Sequence, residues 1–254
     1  MAFSHGTPNS IVTDGLIFCV DPANVLSYPG SGTTVTDLIG DNNSTLTGDG
    51  ITFENTNAGI FDLDGSDDYI DVNSANGNAI LMPTNDTLSY TGGNVTLAIS
   101  ARTYSCWFRV DTTGLKTIFA ASPRGGGWHA KLDINSDDLV EYALRTPSPS
   151  YTTTTGTTTI SINTWYNVTV TIDGSDNKVF LNGIEEGSTS CSGNMIFFSG
   201  NTSPNPRSFV GAFYTTSPTQ EFNGKISNIT IYNKALSAVE VLQNYNALKN
   251  RFRT

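Results

Sequence analysis

Apolar and polar residues alternate with a period of two through much of the chain, which is typical of β-strands with one apolar and one polar face. The clearest example is the stretch WYNVTVTI at residues 165–172. A polar turn follows it, and a second short strand is predicted at 178–181, just before the dipeptide Asn182-Gly183, a strong hairpin signal. The segment 164–187 is therefore predicted to be a strand pair of an all-β domain.

Shorter apolar or alternating runs predict further strands along the chain. They lie around residues 16–21, 44–46, 51–54, 61–72, 94–110, 117–121, 128–134, 139–145, 209–214 and 225–232. A helix is predicted only at 237–250, where Ser237 and Glu240 have the spacing of a capping box. Its docking face is predicted to comprise Val241, Leu242, Tyr245 and Leu248.

Composition favours one domain with many short strands. The chain has 254 residues, of which 14% are charged and 24 are glycine, and its net charge is −10. This acidity gives no electrostatic footprint for nucleic acid. It indicates either solubility alone or aspartate-rich loops that bind cations. We expect an N-terminal arm at 1–13 and a single domain over 14–254 that includes the helix.

The sequence also carries information on membrane insertion, secretion and cysteine chemistry. No run of 18 apolar residues occurs, so no membrane span is expected. The N-terminus lacks the features of a signal peptide, so synthesis in a cytoplasm and release by a route such as lysis are expected. Cys19, Cys106 and Cys191 are too few and too widely spaced for a disulfide framework or zinc site, and Cys19 and Cys106 are predicted to be buried.

Candidates for catalysis are poor. Glycoside hydrolysis needs two carboxylates across the scissile bond. Glu185 and Glu186 are adjacent and would point to opposite faces of a strand, and Glu141 has no carboxylate two or four residues away. His5 and His129 are the only histidines, and no nucleophile elbow accompanies them. The sequence therefore predicts that the protein is not an enzyme.

Turns rich in side-chain oxygens are candidates for Ca²⁺ binding, since Ca²⁺ takes six to eight oxygen ligands. One cluster contains Asp64, Asp67 and Asp68, and a second contains Asp37, Asp41 and Asn42. The alternative is that these residues only form turns. The first cluster is the predicted metal site.

Aromatic platforms beside polar side chains on strands are candidates for binding sugars. The residues selected on this ground are Trp107, Arg109, Trp128, His129, Tyr142 and Arg145. The alternative is that the aromatic residues belong to the core and that His129 is an ordinary surface residue of a strand.

Several short motifs then follow one another in a characteristic order. They are DGLIF at 14–18, YPGSGTT at 28–34, DLIG at 37–40, LDGSDDYI at 63–70, WYNV at 165–168, LNG at 181–183, FNGKI at 222–226 and IYNKALS at 231–237. Together they resemble the laminin G-like domains of the concanavalin A-like lectin/glucanase superfamily over roughly 14–250. With its YPGSGTT segment and its bare Met start, the chain most resembles the versions of this domain that occur in virion proteins of tailed bacteriophages.

The resemblance implies a jelly-roll sandwich of two antiparallel sheets, carbohydrate or protein binding, and often a structural Ca²⁺. Relatives often carry Asp-Glu where this chain has Ser227-Asn228, which weakens the expectation of Ca²⁺. The function expected is a non-catalytic virion surface protein, as a capsid decoration, fibre or tail component, with weak glycan binding as a compatible second activity. A carbohydrate-active enzyme is the alternative. The arm would contact other virion proteins, and an oligomer on the particle is expected.

Overall fold

The computed structural model describes residues 10–72, 95–123, 129–146, 151–191, 194–197, 206–214 and 217–252. They form two antiparallel β-sheets and one α-helix, α1 (Ala238–Leu248). The strands, in chain order, are β1 (Leu16–Val20), β2 (Thr34–Val35), β3 (Ser44–Thr47), β4 (Thr52–Glu54), β5 (Ile60–Asp64), β6 (Tyr69–Val72), β7 (Val95–Ala98), β8 (Arg102–Val110), β9 (Lys116–Pro123), β10 (Ala130–Ile134), β11 (Leu139–Leu144), β12 (Thr152–Thr159), β13 (Trp165–Ile172), β14 (Asp176–Leu181), β15 (Ile184–Ser190), β16 (Asn194–Phe197), β17 (Pro206–Val210), β18 (Phe213–Tyr214), β19 (Pro218–Thr219) and β20 (Asn223–Tyr232). Short 3₁₀ turns occur at Thr56–Ala58 and Lys249–Arg251.

Each large sheet has eight strands. Sheet 1 has the order β15-β14-β13-β8-β20-β5-β4, with β1 also paired to β20. Sheet 2 has the order β12-β11-β10-β9-β17-β6-β3-β2. Two small ribbons, β7 with β16 and β18 with β19, complete the described sheets. The predicted all-β sandwich with a C-terminal helix is confirmed.

The main core lies between the two sheets. Strand β13 contributes Val168, Val170 and Ile172 to it, and sheet 2 contributes residues such as Leu132 and Leu144. All five side chains are at most 1% exposed. The hairpin of β14 and β15 closes on Asn182-Gly183, both with positive φ (53° and 81°), as a two-residue type I′ turn requires.

The predicted polar face of β13 is buried as well. Trp165 and Phe252 have ring centroids 4.8 Å apart, and Phe252 stacks on Trp107 at 4.3 Å. Tyr245 of α1 stacks on the same indole at 5.5 Å. The helix and the residues after it therefore cover the outer face of sheet 1. Beneath the cover, Asn167 donates to the Cys106 carbonyl at 3.0 Å, whereas the Trp107 indole N–H has no hydrogen-bond partner among the described residues.

The capping box of α1 is confirmed. Glu240 N donates to Ser237 Oγ at 3.4 Å, and Ser237 N donates to the Glu240 carboxylate at 2.8 Å. Val241 is fully buried as predicted. Leu242 is 43% exposed, but its side chain lies against Gly183 of the β14–β15 turn, so it is at the edge of the docking face. The α-helix ends at Leu248, slightly before the predicted boundary.

The end of the predicted arm lies against α1. Val12 N donates to Asn244 Oδ1 at 2.8 Å, and the Val12 carbonyl accepts from the Tyr232 hydroxyl at 3.0 Å. Gln243 donates to the Ser10 carbonyl at 3.0 Å. Residues 10–13 are thus held by their own chain, while 1–9 lie outside the described residues.

A carboxylate joins the two sheets where their edge strands β12 and β15 meet. Glu186 accepts from the backbone N–H and the hydroxyl of both Thr157 and Thr158, at 2.6–2.8 Å. These bonds lower the pKa of Glu186 although its burial opposes the shift. Unpaired N–H groups of an edge strand are a template for aggregation, so Glu186 also protects this edge.

The state of the cysteines and the absence of a membrane-spanning helix were also predicted. All three cysteines are buried and free, as predicted for Cys19 and Cys106. Burial raises the pKa of the Cys19 thiol to about 12, and the nearby Asp21 and Asp37 charges add to the shift. Among the described residues, no helix is both long enough and apolar enough to cross a membrane.

Candidate functional site

The acidic turn, which we define as residues 64–68, links β5 of sheet 1 to β6 of sheet 2. Carboxylate oxygens of Asp64, Asp67 and Asp68 lie within 4.8 Å of one another. Asp68 is fully buried and accepts from Gly50 N at 3.1 Å and from Asp64 N at 2.9 Å. The structure therefore brings together the three residues that the sequence predicted as a metal site.

The environment of the acidic turn suits a hard cation. Burial raises the pKa of Asp68, and the negative charges of Asp64 and Asp67 raise it further. Gly50 leaves space beside the turn, because a Cβ there would overlap carboxylate oxygens of both Asp64 and Asp68. Calcium prefers such oxygen donors, and its charge would relieve the repulsion among them. Asp64 and Asp67 are exposed and would complete the donor set.

A second group of polar side chains lies on the outer face of sheet 2. We call it the Lys131 patch, and it comprises Thr117, Lys131, Asp133, Glu141, Phe213 and Gln220. Strand alternation creates it, since Leu132 points into the core and its neighbours in sequence point outward. Ala120 and Ala143 lie directly beside Lys131 on the neighbouring strands, and their small side chains crowd it little.

Hydrogen bonds fix the geometry of the patch. The Lys131 ammonium lies 2.5 Å from Asp133 Oδ2 and donates to Gln220 Oε1 at 3.2 Å. Thr117 donates to the other Asp133 oxygen at 2.8 Å. The ring of Phe213 is half-buried, with its centroid 5.7 Å from Lys131 Nζ, within cation–π range.

The two carboxylates of the patch face each other across β10 and β11. Asp133 and Glu141 are paired Cα partners, which places their Cβ atoms roughly 5 Å apart. Burial raises the pKa of Asp133 to about 6; Lys131 and Thr117 oppose this shift and Glu141 adds to it. Glu141 accepts from Thr155 at 3.1 Å. Spacing along one strand does not reveal this pair, because the two carboxylates lie on different strands and meet only through the register of β10 with β11.

The five predicted sugar contacts that lie within the described residues do not form one site. Trp107 is 3% exposed and lies beneath the rings of α1 and the C-terminal segment, so it is core and not a platform. Arg109 lies on the same outer face of sheet 1 and pairs with Asp111 at 2.9 Å. Tyr142 is 2% exposed between the sheets, which also rules out the predicted contact.

The remaining predicted contacts belong to sheet 2. His129 and Arg145 continue the outward alternation of β10 and β11, and Arg145 N donates to the His129 carbonyl at 2.8 Å. His129 is 1% exposed, so it is neither a surface residue nor open to a ligand in this structure. Arg145 is half-buried. Trp128 lies outside the described residues. Phe213 and Gln220 were not predicted as site residues. They follow β17 in the chain, and only the fold brings them beside Lys131.

Chemically, the Lys131 patch offers one cation, two carboxylates, an amide and an aromatic ring within a small area. Binding sites for small polar ligands commonly combine a few fixed polar groups with aromatic surface. The half-buried Gln220 amide and Glu141 carboxylate can bond sugar hydroxyls, and the Phe213 ring can cover the apolar face of a sugar. Thr117 and Asp133 are buried and instead hold Lys131 in place. The acidic turn offers only cation binding.

Solved structures share this fold at low sequence identity. The receptor-binding domain of botulinum neurotoxin D aligns with a TM-score of 0.61 and 18% identity, covering 91% of this chain and 52% of that one. The binding domain of botulinum neurotoxin DC in complex with SialylT gives 0.62 and 15%, covering 92% and 52%. A Trypanosoma rangeli sialidase in complex with 2,3-difluorosialic acid gives 0.60 and 13%, covering 94% and 34%. The chain spans about half the length of the neurotoxin domains and a third of the sialidase.

Sequence comparison identifies the family. No curated protein sequence matches the chain. A laminin G-like family profile, described as the concanavalin A-like lectin/glucanases superfamily, matches residues 64–242. The match includes the acidic turn and most strands of both sheets. Because it covers more than half of the chain, the protein belongs to the concanavalin A-like lectin/glucanases superfamily.

Proposed function

We propose that this chain is a non-catalytic carbohydrate-binding module of a bacteriophage virion structural protein, as a capsid decoration, fibre or tail component. The observation that carries glycan binding is the Lys131 patch, where the half-buried ring of Phe213 lies beside the Lys131 ammonium and the Gln220 amide. Membership of a lectin superfamily supports the proposal. A ligand-binding domain of botulinum neurotoxin serotype D that shares this fold was solved in complex with N-acetylneuraminic acid, and the Trypanosoma rangeli sialidase was solved with 2,3-difluorosialic acid. An ammonium group such as that of Lys131 suits an acidic sugar.

A glycan array tests the binding activity. The purified full chain is applied to sialylated and neutral glycans, once with Ca²⁺ and once with a chelator. We expect selective binding, with sialylated glycans above their desialylated counterparts. Silence of the array under both conditions contradicts glycan binding.

The virion assignment is supported by the resemblance of the ordered motifs, YPGSGTT at 28–34 among them, to virion proteins of tailed bacteriophages. Residues 10–13 of the arm are held by their own chain, and the contact with a neighbouring virion protein is therefore proposed for residues 1–9. Mass spectrometry and cryo-electron microscopy of purified particles test this. We expect the chain in stoichiometric, symmetric copies on the particle surface, and its absence from particles would contradict the assignment.

The acidic turn supports a further part of the proposal, a structural Ca²⁺ held by Asp64, Asp67 and Asp68. Bound Ca²⁺ would neutralise their charges and stabilise the link between the sheets. We expect Ca²⁺ to raise the melting temperature of the wild-type chain. The Asp67→Asn variant, which changes an exposed ligand, should lose the part of this increase that comes from the acidic turn.

A glycoside hydrolase is the second candidate, favoured by the facing pair Asp133 and Glu141. Retaining glycosidases place two carboxyl groups roughly 5–5.5 Å apart, and one of them has a raised pKa. However, Asp133 is 2% exposed and both its oxygens are bonded, so it cannot reach a substrate without rearrangement. Release of reducing ends from a polysaccharide, abolished by Glu141→Gln, would establish the hydrolase against our proposal.

A further inference from the structure

The loop at residues 37–43, which we call the Asp37 loop, lies between β2 and β3 and contacts β1. Asp37 is 5% exposed. Its Oδ1 accepts from Cys19 N at 3.0 Å and from Ile39 N at 3.1 Å. Its backbone N–H donates to Asn43 Oδ1 at 3.0 Å. One oxygen of this carboxylate therefore anchors the loop to the first strand of sheet 1.

The other oxygen, Asp37 Oδ2, is buried and has no hydrogen-bond partner among the described residues. Taking an ionised oxygen out of water without a partner is costly, commonly by several kcal/mol. Buried polar atoms left unsatisfied by protein groups usually contact a bound water or an ion. Asp37 Oδ2 thus points to a partner other than the described protein groups in the space beside it, such as a water or an ion.

Polar atoms converge on this space. A Cβ built on Gly40 would lie 3.2 Å from Asp37 Oδ2, 3.6 Å from the Ile17 carbonyl oxygen and 3.6 Å from the Asn42 side-chain amide. Gly40 does not have a positive φ, so its backbone does not require glycine. What the glycine provides is room between three polar groups.

Two of these groups are suited to be oxygen ligands. The pairing of β1 with β20 shifts register between Leu16 and Phe18, so Ile17 sits at a bulge with no residue opposite it. A bulged residue is left out of the ladder, which frees its carbonyl for another partner. The Asn42 amide can rotate by 180° to present its oxygen instead of its nitrogen.

We propose that the Asp37 loop binds a Ca²⁺ ion through Asp37 Oδ2, the Ile17 carbonyl oxygen and the Asn42 amide oxygen, with water completing the shell. One carboxylate with carbonyl and amide oxygens in an irregular arrangement is a donor set that Ca²⁺ accepts and that Mg²⁺, which demands octahedral geometry, does not. The site is separate from the acidic turn. It would tie β1 to the Asp37 loop.

The test measures Ca²⁺ binding by calorimetry and melting temperature on the chelator-treated full chain carrying Asp67→Asn, which weakens the acidic turn. In this background Asp37→Asn removes the charge but keeps Oδ1, and Gly40→Ala fills the space without changing any charge. Asp137→Asn, at an exposed turn, is the control for loss of one aspartate.

We expect the Asp67→Asn background and its Asp137→Asn control to bind one Ca²⁺. Asp37→Asn and Gly40→Ala should each weaken this binding at least tenfold and abolish the rise in melting temperature. With chelator, Asp37→Asn should melt no lower than the background, because its new N–H₂ group can donate to the Ile17 carbonyl. If the Asp37→Asn variant does not fold, the Ca²⁺ affinity of the Gly40→Ala variant decides whether the site exists.

Two results would overturn the site. One is Ca²⁺ binding that is unchanged by Gly40→Ala and by Asp37→Asn, which means that water fills the space. The other is an Asp67→Asn background that binds no Ca²⁺ at all. Loss of Ca²⁺ binding at the Asp37 loop leaves the glycan array unaffected as a test of the proposed function, so the two proposals can fail separately.

Discussion

Asp133 in the Lys131 patch is predicted to make the protein less stable as the pH rises through the mildly acidic range. Its pKa is raised from 3.8 to about 6 in the folded chain, chiefly by burial. Below pH 3.8 the carboxyl is protonated in both the folded and unfolded chains. Between these values the unfolded chain ionises first, so the free energy of unfolding falls, and above about 6 the loss is complete. A shift of this size corresponds to about 3 kcal/mol.

The perturbation is Asp133→Asn, which removes the titration and lets Thr117 keep an oxygen acceptor. Urea unfolding followed by tryptophan fluorescence gives the free energy of unfolding of both proteins from pH 3.5 to 7.5. Other titrating groups largely cancel in the difference between them. We expect the stability of the wild type relative to the variant to fall by about 3 kcal/mol over this range.

Replacing the carboxyl by an amide changes hydrogen bonding and adds an offset that does not depend on pH. The attraction of Lys131 acts only on the ionised carboxylate and is already part of the net pKa shift, so only the slope of the difference tests the role of burial. A difference that is flat between pH 4 and 7 refutes the dominant role of burial. A difference that rises with pH means that the attraction of Lys131 outweighs the burial of Asp133.

Two further substitutions test the cover of sheet 1 and the closure of the sandwich. Phe252→Ala should lower the free energy of unfolding, measured in urea, by about 3–4 kcal/mol, because the ring is 4% exposed, stacks on Trp107 and contacts Trp165. Leu242→Ala, at a 43% exposed site, should cost under about 1.5 kcal/mol. Equal losses of stability in the two variants would contradict the conclusion that Phe252 covers the outer face of sheet 1. Glu186→Gln should lower the free energy of unfolding by about 1–2 kcal/mol at neutral pH. This loss should shrink as the pH falls below 4.5, the ordinary pKa of glutamate, because a carboxyl whose pKa is lowered by folding contributes stability only while it is ionised. A cost that stays constant down to pH 3 would show that the charge of Glu186 does not contribute.

Local signals in the sequence predicted most of the fold. Period-two alternation located the strands, and the Asn182-Gly183 dipeptide and the Ser237–Glu240 capping box located a turn and a helix start correctly. The acidic turn was also predicted, because its three aspartates lie within five residues. Such features depend on backbone geometry within one turn, which neighbouring residues determine.

The burial of both faces of sheet 1 could not be predicted in this way. Trp107 alternates like a residue on a polar face, and only the packing of Phe252, far away in the sequence, turns that face into core. The pair of Asp133 and Glu141 depends likewise on the register of β10 against β11. Long-range register and the position of the C-terminal segment are properties of the assembled fold. The predicted sugar contacts that the structure describes were therefore distributed over two opposite faces and the core.

The central claim, that the Lys131 patch binds a glycan, is tested most directly by equilibrium titration of the best ligand from the glycan array into Phe213→Ala and a matched control. The control is Lys178→Ala, which changes an exposed residue on β14 of the other sheet, where its ammonium pairs with Glu185 at 3.1 Å. Stability measured in parallel confirms that both variants are folded. We predict at least a tenfold loss of affinity for Phe213→Ala and no change for Lys178→Ala. Unchanged affinity in a folded Phe213→Ala variant would contradict the claim.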